Sequence, residues 1–415
     1  MLKPHIVILG AGFGGVYLAK KLISAVKNGE IDVTVISRNN NFLFTPLLHE
    51  VATGGLNPRT VAEPLWEIFV GTCVRIVEGT VDYVDVGDQN VSVKTGSGPI
   101  TIKYDYLIVA TGAETNYYGV PGAAEYSLSL KSLHDAVSIR NRVVDAFEQA
   151  IIVNDPEKRR GLLSFIVVGG GATGVEVAAE LMEFIQGMMN RYYGDSYCRP
   201  DDPRHCMQEE PTVTLIHSDK ELLSQFGPLL RISAEKQLKK KGIIVRLNST
   251  VTSLTKNSLK LSSGEILPVS VVIWSAGVKA SIPDFKGIKP VLTAGRISVD
   301  DYFRIVGNDR VFAIGDVAAY PRSLPQLAQV AESEARIVAM NLLSSIRGEP
   351  LHDFNYHSKG NMISIGQWFA MGEIYSVNIS GRFAWWLWRT IYLFKFASWK
   401  KRIRISFEWL LQSFF

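Results

Sequence analysis

Residues 5–26 read HIVILGAGFGGVYLAKKLISAV, a short apolar run followed by a glycine-rich turn and a segment with helical periodicity. The apolar run is rich in β-branched residues, as expected of a strand buried on both faces. The turn carries Gly10, Gly12 and Gly15 in the spacing G-x-G-x-x-G. This spacing predicts a tight turn, a close approach of the backbone to a pyrophosphate and a closely packed helix.

The same pattern returns at residues 164–185, SFIVVGGGATGVEVAAELMEFI, where Gly169, Gly171 and Gly174 have the same spacing. One glycine triplet is a weak signal, but two in the same strand, turn and helix context make coincidence a poor explanation. The sequence therefore predicts two dinucleotide-binding units. Two dinucleotides in one chain suggest an electron relay, with one cofactor held and the other exchanged.

An apolar strand that ends in small residues follows each unit, at 104–114 and at 269–280. We therefore predict an α/β fold with two Rossmann-like dinucleotide-binding domains, the second inserted in the first, plus a C-terminal amphipathic segment. The polar stretch 191–211 is interpreted as an insertion. The predicted ranges are 1–120 and 295–350 for the first domain, 160–290 for the second, and 351–415 for the C-terminal region.

The composition excludes several classes of protein. The chain has 415 residues, of which 47% are hydrophobic and 20% charged, which is ordinary for a globular protein. Residues 381–415 hold seven basic residues against Glu408, a charge of +6, so the rest of a chain with net charge +4 carries −2. Positive charge confined to one tail argues against nucleic-acid binding. Three cysteines and no room for a signal peptide predict a protein that stays in a reducing compartment.

The C-terminal tail contains FAWWLWRTIYLFKFASWKKRIR at residues 383–404. Its longest uncharged stretch between Arg382 and Lys400 is residues 383–388, far short of the roughly 20 residues of a helical span. Clustered aromatic and basic residues suit a lipid interface, so we predict a membrane-surface segment. A helix packed on its own domain or on a partner is the alternative. The alternating pattern at 403–409 is compatible with either helix or strand.

The stretch RVFAIGDVAAY at residues 310–320 predicts an apolar strand that ends at Gly315 and Asp316. A carboxylate at this place can bond the hydroxyl groups of a flavin's sugar-like chain; alternatively, it caps the next turn. Pro325 suits the first turn of a helix, so we expect a helix to open there and to direct N–H groups at whatever lies before it.

Six motifs, taken in order, resemble those of the type II NADH dehydrogenases, single-subunit flavoproteins that reduce membrane quinones. The motifs are GAGFGG, FLFTPLLHEVATGGL, YLIVATG, GGGATGVEVAAEL, VFAIGD and PQLAQVAESEA, and the resemblance covers residues 5 to about 375. It implies FAD in the first domain and NADH in the second. The implied FAD contacts are Gly10, Gly12, Phe13, Gly14, Gly15, Ser37, Arg38, Val81, Ala110, Thr111, Gly112, Asp316, Ala328 and Lys359. The implied NAD(P)H contacts are Gly169, Gly171, Ala172, Thr173, Gly174, Glu176, His217, Ala276 and Gly277.

Three residues depart from the family pattern. Ser37 stands where the second strand of the first unit often ends in an acid, and His217 stands where NADH-specific members have a carboxylate. A neutral His217 does not repel a 2′-phosphate, and Lys220 lies near it in the sequence. NADPH is therefore an alternative substrate to NADH. Ser333 replaces the second glutamine of the family's quinone motif A-Q-x-A-x-Q, and its shorter hydroxyl cannot reach as far.

The resemblance implies catalytic roles for Glu176, Gln329 and Ser333. Glu176 would face the nicotinamide and the flavin, and Gln329 would donate to the quinone headgroup. The alternatives are an acid favoured by the helix dipole and a polar residue on a helix surface. His49 could give a proton to reduced quinone, although a lone histidine beside apolar residues is more often structural. Glu180, one turn after Glu176, is expected to be a packing or capping partner.

Dithiol chemistry is excluded, because no cysteine pair follows the first nucleotide unit; Cys198 and Cys206 are interpreted as loop thiols, and no metal site is predicted. The resemblance then implies a NAD(P)H:quinone oxidoreductase that does not pump protons. We expect a peripheral homodimer on the cytoplasmic face of the plasma (inner) membrane, in contact with quinone and bilayer. The alternatives are a reductase of a protein acceptor such as ferredoxin, and a nucleotide-binding regulator with weak turnover.

Overall fold

The structure is a computed structural model that describes residues 3–192, 211–375, 377–396 and 399–414. The chain forms two compact units, each of which is built from separate stretches of sequence. The first unit comprises Met1–Leu43, Ala62–Glu114 and Val278–His357; the second comprises Phe44–Val61, Thr115–Gly277 and Ser358–Phe415. The predicted domain ranges stay a prediction. Residues 193–210 of the predicted insertion, with Cys198 and Cys206, lie outside the described residues.

The helices and strands of the described residues are numbered in chain order. The α-helices are α1 (Phe13–Lys27), α2 (Leu48–Ala52), α3 (Pro58–Val61), α4 (Leu65–Phe69), α5 (Ala123–Tyr126), α6 (Leu133–Ile151), α7 (Pro156–Leu162), α8 (Ala172–Tyr192), α9 (Pro228–Lys240), α10 (Ala328–Arg347), α11 (Arg382–Lys395) and α12 (Trp399–Phe414). The strands are β1 (His5–Leu9), β2 (Asp32–Ser37), β3 (Asn41–Leu43), β4 (Ala62–Pro64), β5 (Arg75–Glu78), β6 (Thr80–Asp85), β7 (Asn90–Thr95), β8 (Gly98–Lys103), β9 (Tyr106–Val109), β10 (Ala113–Thr115), β11 (Ser164–Val168), β12 (Thr212–Ile216), β13 (Ile244–Arg246), β14 (Val251–Leu254), β15 (Ser258–Leu261), β16 (Ile266–Pro268), β17 (Val271–Trp274), β18 (Val278–Ala280), β19 (Asp284–Lys286), β20 (Leu292–Thr293), β21 (Arg296–Ser298), β22 (Val311–Ala313), β23 (Ala318–Ala319), β24 (Asn361–Ser364), β25 (Ala370–Ile374) and β26 (Val377–Gly381).

The first unit is organised around a parallel sheet with strand order β22-β9-β1-β2-β5. The central strand β1 is buried along Ile6–Leu9, because helices and further strands cover both faces of the sheet. Helices α1 and α10 pack against each other. A second, smaller sheet with order β19-β6-β7-β8 contains the antiparallel hairpins β6-β7 and β7-β8.

The second unit has its own parallel sheet, with strand order β13-β12-β11-β17. Helix α8 follows β11 directly, and α2 packs against both α6 and α8. An antiparallel sheet of β24, β25 and β26 carries helix α11. Each glycine-rich segment thus forms the strand, turn and helix that the sequence predicts, and the mixed α/β fold with parallel sheets is confirmed.

The helix expected to open at Pro325 begins three residues later, at Ala328, so that prediction is wrong. The N–H of Leu327 donates to the carbonyl oxygen of Pro325 at 2.9 Å, which closes a tight turn that does not propagate as a helix. Leu327 is the N-cap residue, with extended backbone at φ −129° and ψ 146°. The first turn of α10 therefore follows Leu327 rather than Pro325.

The tail forms the two helices α11 and α12, and the alternating stretch at 403–409 is helical. Ile405 and Trp409, four residues apart, are buried, whereas Ile403 and Phe407 lie on the exposed face. The alternation is therefore the pattern of two opposite helix faces. Among the described residues, no helix combines the length and apolar character needed to cross a membrane.

Candidate functional site

The first glycine turn has the geometry of a pyrophosphate cradle. Gly10 has φ +106°, and a Cβ there would lie 2.3 Å from the carbonyl oxygen of Ala110, so only glycine fits. A Cβ on Gly15 would lie 1.9 Å from the carbonyl oxygen of Gly10, whereas the Cβ position of Gly12 has no atom within 4 Å. Helix α1 begins after Gly12 without a side-chain cap or an acid in its first turn. Its N–H groups are thus available to an anion.

The second glycine turn repeats this geometry. Gly169 has φ +117°, and a Cβ there would lie 2.6 Å from the carbonyl carbon of Ser275. A Cβ on Gly174 would lie 1.9 Å from the carbonyl oxygen of Gly169, and the Cβ position of Gly171 is again open. The first turn of α8 contains no acid. In both cradles the open middle glycine leaves room for the pyrophosphate of a dinucleotide.

The other residues of the first unit predicted to contact FAD lie around the first cradle or on neighbouring strands. Phe13 and Gly14 begin α1, Ser37 ends β2, Arg38 is exposed, Val81 lies on β6, and Ala110, Thr111 and Gly112 follow β9. The hydroxyl of Thr111 donates to the carbonyl oxygen of Ser281 at 2.5 Å. The Ser37 hydroxyl oxygen accepts the N–H of Asn39 at 3.4 Å, which is a weak bond.

The predicted flavin aspartate lies in a 3-10 turn, Gly315–Val317, directly after β22. The N–H of Gly315 donates to the carboxylate of Glu334 on α10 at 2.5 Å, and Glu334 is almost fully buried. Burial raises the pKa of Glu334 to about 7 against the effect of the Gly315 N–H, and Asp316 adds to the rise. Asp316, Leu327 and Glu334 line a small recess beside this turn.

The residues of the predicted quinone motif occupy the first two turns of α10. Ala328, Gln329 and Ser333 are all partly buried. The Ser333 hydroxyl donates to the carbonyl oxygen of Gln329 at 2.9 Å, so its proton is used within the helix. In this arrangement Ser333 offers a ligand an acceptor rather than a donor.

The remaining residues predicted to contact the nucleotide belong to the second unit. Ala172 and Thr173 open α8, His217 follows β12, and Ala276 and Gly277 follow β17. Lys359, predicted to contact FAD, is exposed in the irregular segment before β24. Their roles stay predictions.

Glu176 lies at the edge of a buried ionic cluster that the sequence did not reveal. It is in the second turn of α8, beyond the first turn in which the helix dipole acts most strongly, which weakens that alternative. Its carboxylate accepts the N–H of Ser364 at 3.2 Å and lies 3.9 Å from Nδ1 of His49. Nε2 of His49 lies 3.4 Å from Glu180, a contact that we describe as an ion pair.

The charges in this cluster shift one another's protonation. Burial lowers the pKa of His49, but the carboxylates of Glu180 and Glu176 outweigh burial and raise that pKa to about 10. Burial raises the pKa of Glu176 to about 7, although His49 opposes the rise. Burial, and then the charge of Glu180, raises the pKa of Glu50 to about 7. The cluster therefore contains carboxyl groups that exchange protons near neutral pH.

Residues of the two C-terminal helices, α11 and α12, also contact this cluster. Nε1 of Trp409 donates to Glu50 at 2.6 Å, and Arg389 lies 3.8 Å from the Trp385 ring and 4.8 Å from the Trp409 ring. The charge of Arg389 lowers the pKa of Glu50. Arg389, which interrupts the apolar residues of the tail sequence, is thus a buried structural cation.

Ligand atoms of His49, Glu50 and Glu180 lie within 4.8 Å of one another, a spacing that a metal ion could use. Glu50 already accepts a hydrogen bond from Trp409, and Glu180 accepts one from Thr53 at 3.1 Å. We therefore describe an ion-pair network and assign no metal. The sequence signal for it was the spacing of Glu176 and Glu180, one turn apart on the same face of a largely apolar helix.

Comparisons with known proteins identify the family. A family profile described as pyridine nucleotide-disulphide oxidoreductase matches residues 4–335, and one described as NDH2 C-terminal domain matches residues 358–415. The sequence is 32% identical over 423 residues to the type II NADH:quinone oxidoreductase Ndh of Mycobacterium tuberculosis, covering 98% of this chain and 87% of that protein. The chain belongs to the type II NADH:quinone oxidoreductase family.

Other relatives are also similar to this chain over nearly its whole length. The internal alternative NAD(P)H-ubiquinone oxidoreductase A1 of Arabidopsis thaliana mitochondria is 30% identical over 452 residues, covering 98% of this chain and 84% of that protein. The solved structure of NDH2 from Plasmodium falciparum in complex with NADH has a TM-score of 0.89 at 22% identity, covering 100% of this chain and 99% of that one. The predicted family, fold class and enzyme class are confirmed.

Proposed function

We propose that the protein transfers a hydride from NADH to FAD and then two electrons to a membrane quinone, without pumping protons. The observation that carries the proposal is the repeated glycine cradle: in each parallel sheet an interior strand, β1 or β11, leads into a turn whose first and third glycines have no room for a side chain and whose middle glycine is open. Two dinucleotide sites in one chain of this family fit one resident flavin and one exchanging nicotinamide nucleotide. The flavin, when bound, supplies the hydride and electron transfer chemistry.

The chain's own residues would bind and orient these groups. The first turns of α1 and α8 would direct N–H groups at the two pyrophosphates. Asp316 would accept hydrogen bonds from the sugar-like chain of FAD, and Glu334 holds the turn that presents Asp316. In the second unit, Glu176 would position the nicotinamide, and its pKa of about 7 lets its carboxyl hold or release a proton at neutral pH.

We propose Gln329 as a hydrogen-bond donor to the quinone headgroup, with the Ser333 oxygen as an acceptor beside it. These two residues lie one turn apart on α10, where side chains share a face. The relatives' names support a quinone as acceptor: the Arabidopsis protein is named as a ubiquinone oxidoreductase, and the Mycobacterium protein as a quinone oxidoreductase.

We also propose that the tail holds the protein at a membrane surface, on the cytoplasmic face of the plasma membrane, as a homodimer. Helix α11 buries one face, but Phe383 is 73%, Trp386 53% and Phe394 64% exposed. These residues form one stripe along the helix, and each basic residue of the tail that lies near the surface adds attraction to anionic headgroups of order 1 kcal/mol.

The test of the reaction is rapid mixing of the purified yellow protein with NADH, followed by a soluble quinone. We expect NADH to bleach the flavin absorbance on the timescale of turnover and the quinone to restore it. A nucleotide-binding regulator would not bleach on that timescale. A reductase of a protein acceptor would bleach, but it would pass electrons to ferredoxin and leave the quinone unreduced, which would overturn the proposed acceptor.

The test of membrane binding replaces Phe383, Trp386 and Phe394 together by serine. Truncation of the tail would be a poor test, because it also removes Arg389 and Trp409 from the buried cluster. We expect the triple variant to lose binding to vesicles that contain anionic lipid, while keeping its activity with a soluble quinone. The matched control replaces the equally exposed residues Leu229 and Ile232 of α9. Vesicle binding that survives in the triple variant would refute the anchor.

A further inference from the structure

The end of β12 places a histidine against the second nucleotide cradle. The N–H of Gly170 donates to Nδ1 of His217 at 3.2 Å, and a Cβ on Gly170 would lie 2.6 Å from Cγ of that ring. Because Nδ1 accepts a hydrogen bond from the backbone, the ring proton of a neutral His217 is on Nε2. The glycine turn therefore fixes both the position and the tautomer of His217.

The proton on Nε2 faces a carboxylate. Nε2 of His217 lies 3.6 Å from Oδ2 of Asp219, too long for a direct hydrogen bond but close enough for electrostatic attraction. The backbone N–H of Asn248 donates to the carbonyl oxygen of Asp219 at 3.0 Å, and the Ser218 hydroxyl donates to Oδ1 at 3.2 Å. The Asp219 side chain is nevertheless 69% exposed. It presents an oriented carboxylate at the edge of the cradle.

A carboxylate in this place has a known use in nucleotide folds. After the second strand of such a unit, an acid accepts a hydrogen bond from the 2′-hydroxyl of the adenosine ribose and repels a 2′-phosphate. His217 occupies the position where that acid is expected, and Asp219 lies two residues further on. The histidine ring bridges the distance between the glycine turn and the displaced acid.

One of the cations near the second cradle, Arg246, is paired with a carboxylate. Arg246 ends β13 and is the register partner of Ile216, the last residue of β12. Nη1 of Arg246 pairs with Glu265 at 2.6 Å, so the carboxylate offsets the charge of Arg246. The competing cation in this loop is Lys220, which is exposed.

We propose that Asp219, oriented by His217, selects NADH over NADPH. Asp219 is the specificity residue, because its carboxylate would contact the ribose; His217 is a positioning residue, because it acts through Asp219 and the glycine turn. The inference rests on the proposed function only in that the second cradle binds the nicotinamide nucleotide.

The first experiment compares kcat/KM for NADH and NADPH with a soluble quinone. We expect the wild-type protein to prefer NADH by tenfold or more, and Asp219→Asn to reduce that preference about tenfold, as expected when a charged acceptor is lost. The change should be in KM rather than in kcat. The control is Asp145→Asn on the exposed side of α6, which should leave the preference unchanged. Equal preferences in Asp219→Asn and Asp145→Asn would overturn the proposal.

The second experiment separates orientation from fold. Asparagine at position 217 can accept the Gly170 N–H and donate towards Asp219, whereas alanine can do neither. We therefore expect His217→Asn to keep most of the NADH preference and His217→Ala to lose it about tenfold. Lys220→Met should change the preference little. A wild-type protein that prefers NADPH, and loses that preference in Lys220→Met, would assign recognition to Lys220 instead.

The third experiment measures binding without turnover. ADP-ribose and 2′-phospho-ADP-ribose are titrated by calorimetry into the wild-type protein and Asp219→Asn. We expect wild type to bind ADP-ribose at least tenfold more tightly, and Asp219→Asn to narrow that ratio. If the binding ratios are as expected but the protein reduces no quinone, the proposal of quinone as acceptor is refuted and the proposed selection of NADH by Asp219 is still supported. If both ligands bind wild type equally, the specificity fails whatever the acceptor is.

Discussion

Arg389 should contribute much more to stability than any other basic residue of α11, because it is the one that faces inward. Its guanidinium stacks on Trp385 and Trp409, and burial lowers its pKa, while Glu50 opposes that shift. We predict that Arg389→Met destabilises the second unit strongly. Methionine keeps the apolar stem of the side chain and removes the charge.

The magnitude follows from the cluster that remains. Removing one partner of a buried ion network costs about 3–5 kcal/mol, because the remaining charges lose their compensation. Loss of stacking of a cation on tryptophan adds of order 1 kcal/mol. Arg382→Met at the exposed start of the same helix is the matched control, and a surface change of this kind costs about 0.5 kcal/mol or less.

The penalty should grow with pH. Arg389 lowers the pKa of Glu50, so without Arg389 the folded-state pKa rises further above its ordinary value of 4.5. A carboxyl group with a raised pKa favours the folded state at low pH, and this advantage is lost as the pH rises through the folded-state pKa. At pH 6 Glu50 carries its proton in the variant, whereas at pH 8 it must ionise or stay protonated at a cost. The destabilisation by Arg389→Met should therefore increase by up to about 1.4 kcal/mol for each pH unit.

The assay is urea unfolding followed by tryptophan fluorescence at pH 6 and pH 8, since five of the eight tryptophans lie in the tail. We expect Arg389→Met to shift the unfolding midpoint well below that of Arg382→Met, and more so at pH 8. If the two variants unfold alike at both pH values, Arg389 does not compensate the buried carboxylates. If the unfolding midpoint of Arg389→Met falls strongly but equally at both pH values, the lost stacking on tryptophan explains the destabilisation. The proposed effect of Arg389 on the pKa of Glu50 is then refuted.

Three further predictions follow from the cradles and the buried acids. Gly12→Ala should fold normally but lose FAD affinity, because its Cβ would occupy space that is open to the ligand. Gly15→Ala should fail to fold stably, because its Cβ would collide with the carbonyl oxygen of Gly10. Flavin content and melting temperature distinguish the two variants. Glu334→Ala should release flavin at a lower temperature than Glu334→Gln, by about 2–4 °C for each kcal/mol, since only glutamine can still accept the Gly315 N–H, a bond worth about 1–3 kcal/mol when it is buried. Because the pKa of Glu334 is raised to about 7, its contribution to stability is lost as the pH rises through 7, and Glu334→Gln should flatten the decline of melting temperature between pH 6 and pH 8.

The sequence predicted the nucleotide units well, because their determinants are local. A β-branched run forms the strand, three spaced glycines form the turn, and a segment with apolar residues at helical spacing forms the helix. None of these depends on how the rest of the chain is arranged. The start of α10 was mispredicted for the converse reason. Pro325 is compatible with a first helical turn, but the hydrogen bond from Leu327 to its carbonyl closes a different turn, and sequence alone does not choose between them.

The buried cluster could not be predicted, because it joins residues far apart in the chain. His49 and Glu180 are separated by 131 positions, yet their side chains form an ion pair. His49 looked structural and Glu180 looked like a packing residue, and each reading was reasonable for an isolated side chain. Their meaning changed when α2, α8 and α11 brought several charges into one apolar interior, where burial and Coulomb interactions are strong.

The sequence by itself determined that this chain has two dinucleotide units, no dithiol relay at the first of them and a basic aromatic tail. These features depend on residue type and short-range spacing, which the backbone converts directly into strands, turns and helices. Only the tertiary structure decided which charges are buried. It placed Arg389 inside and Phe383 outside on the same helix, and it set Asp219 beside His217 at the second cradle. Burial and long-range pairing depend on how the elements pack, and packing is a property of the whole fold rather than of any segment.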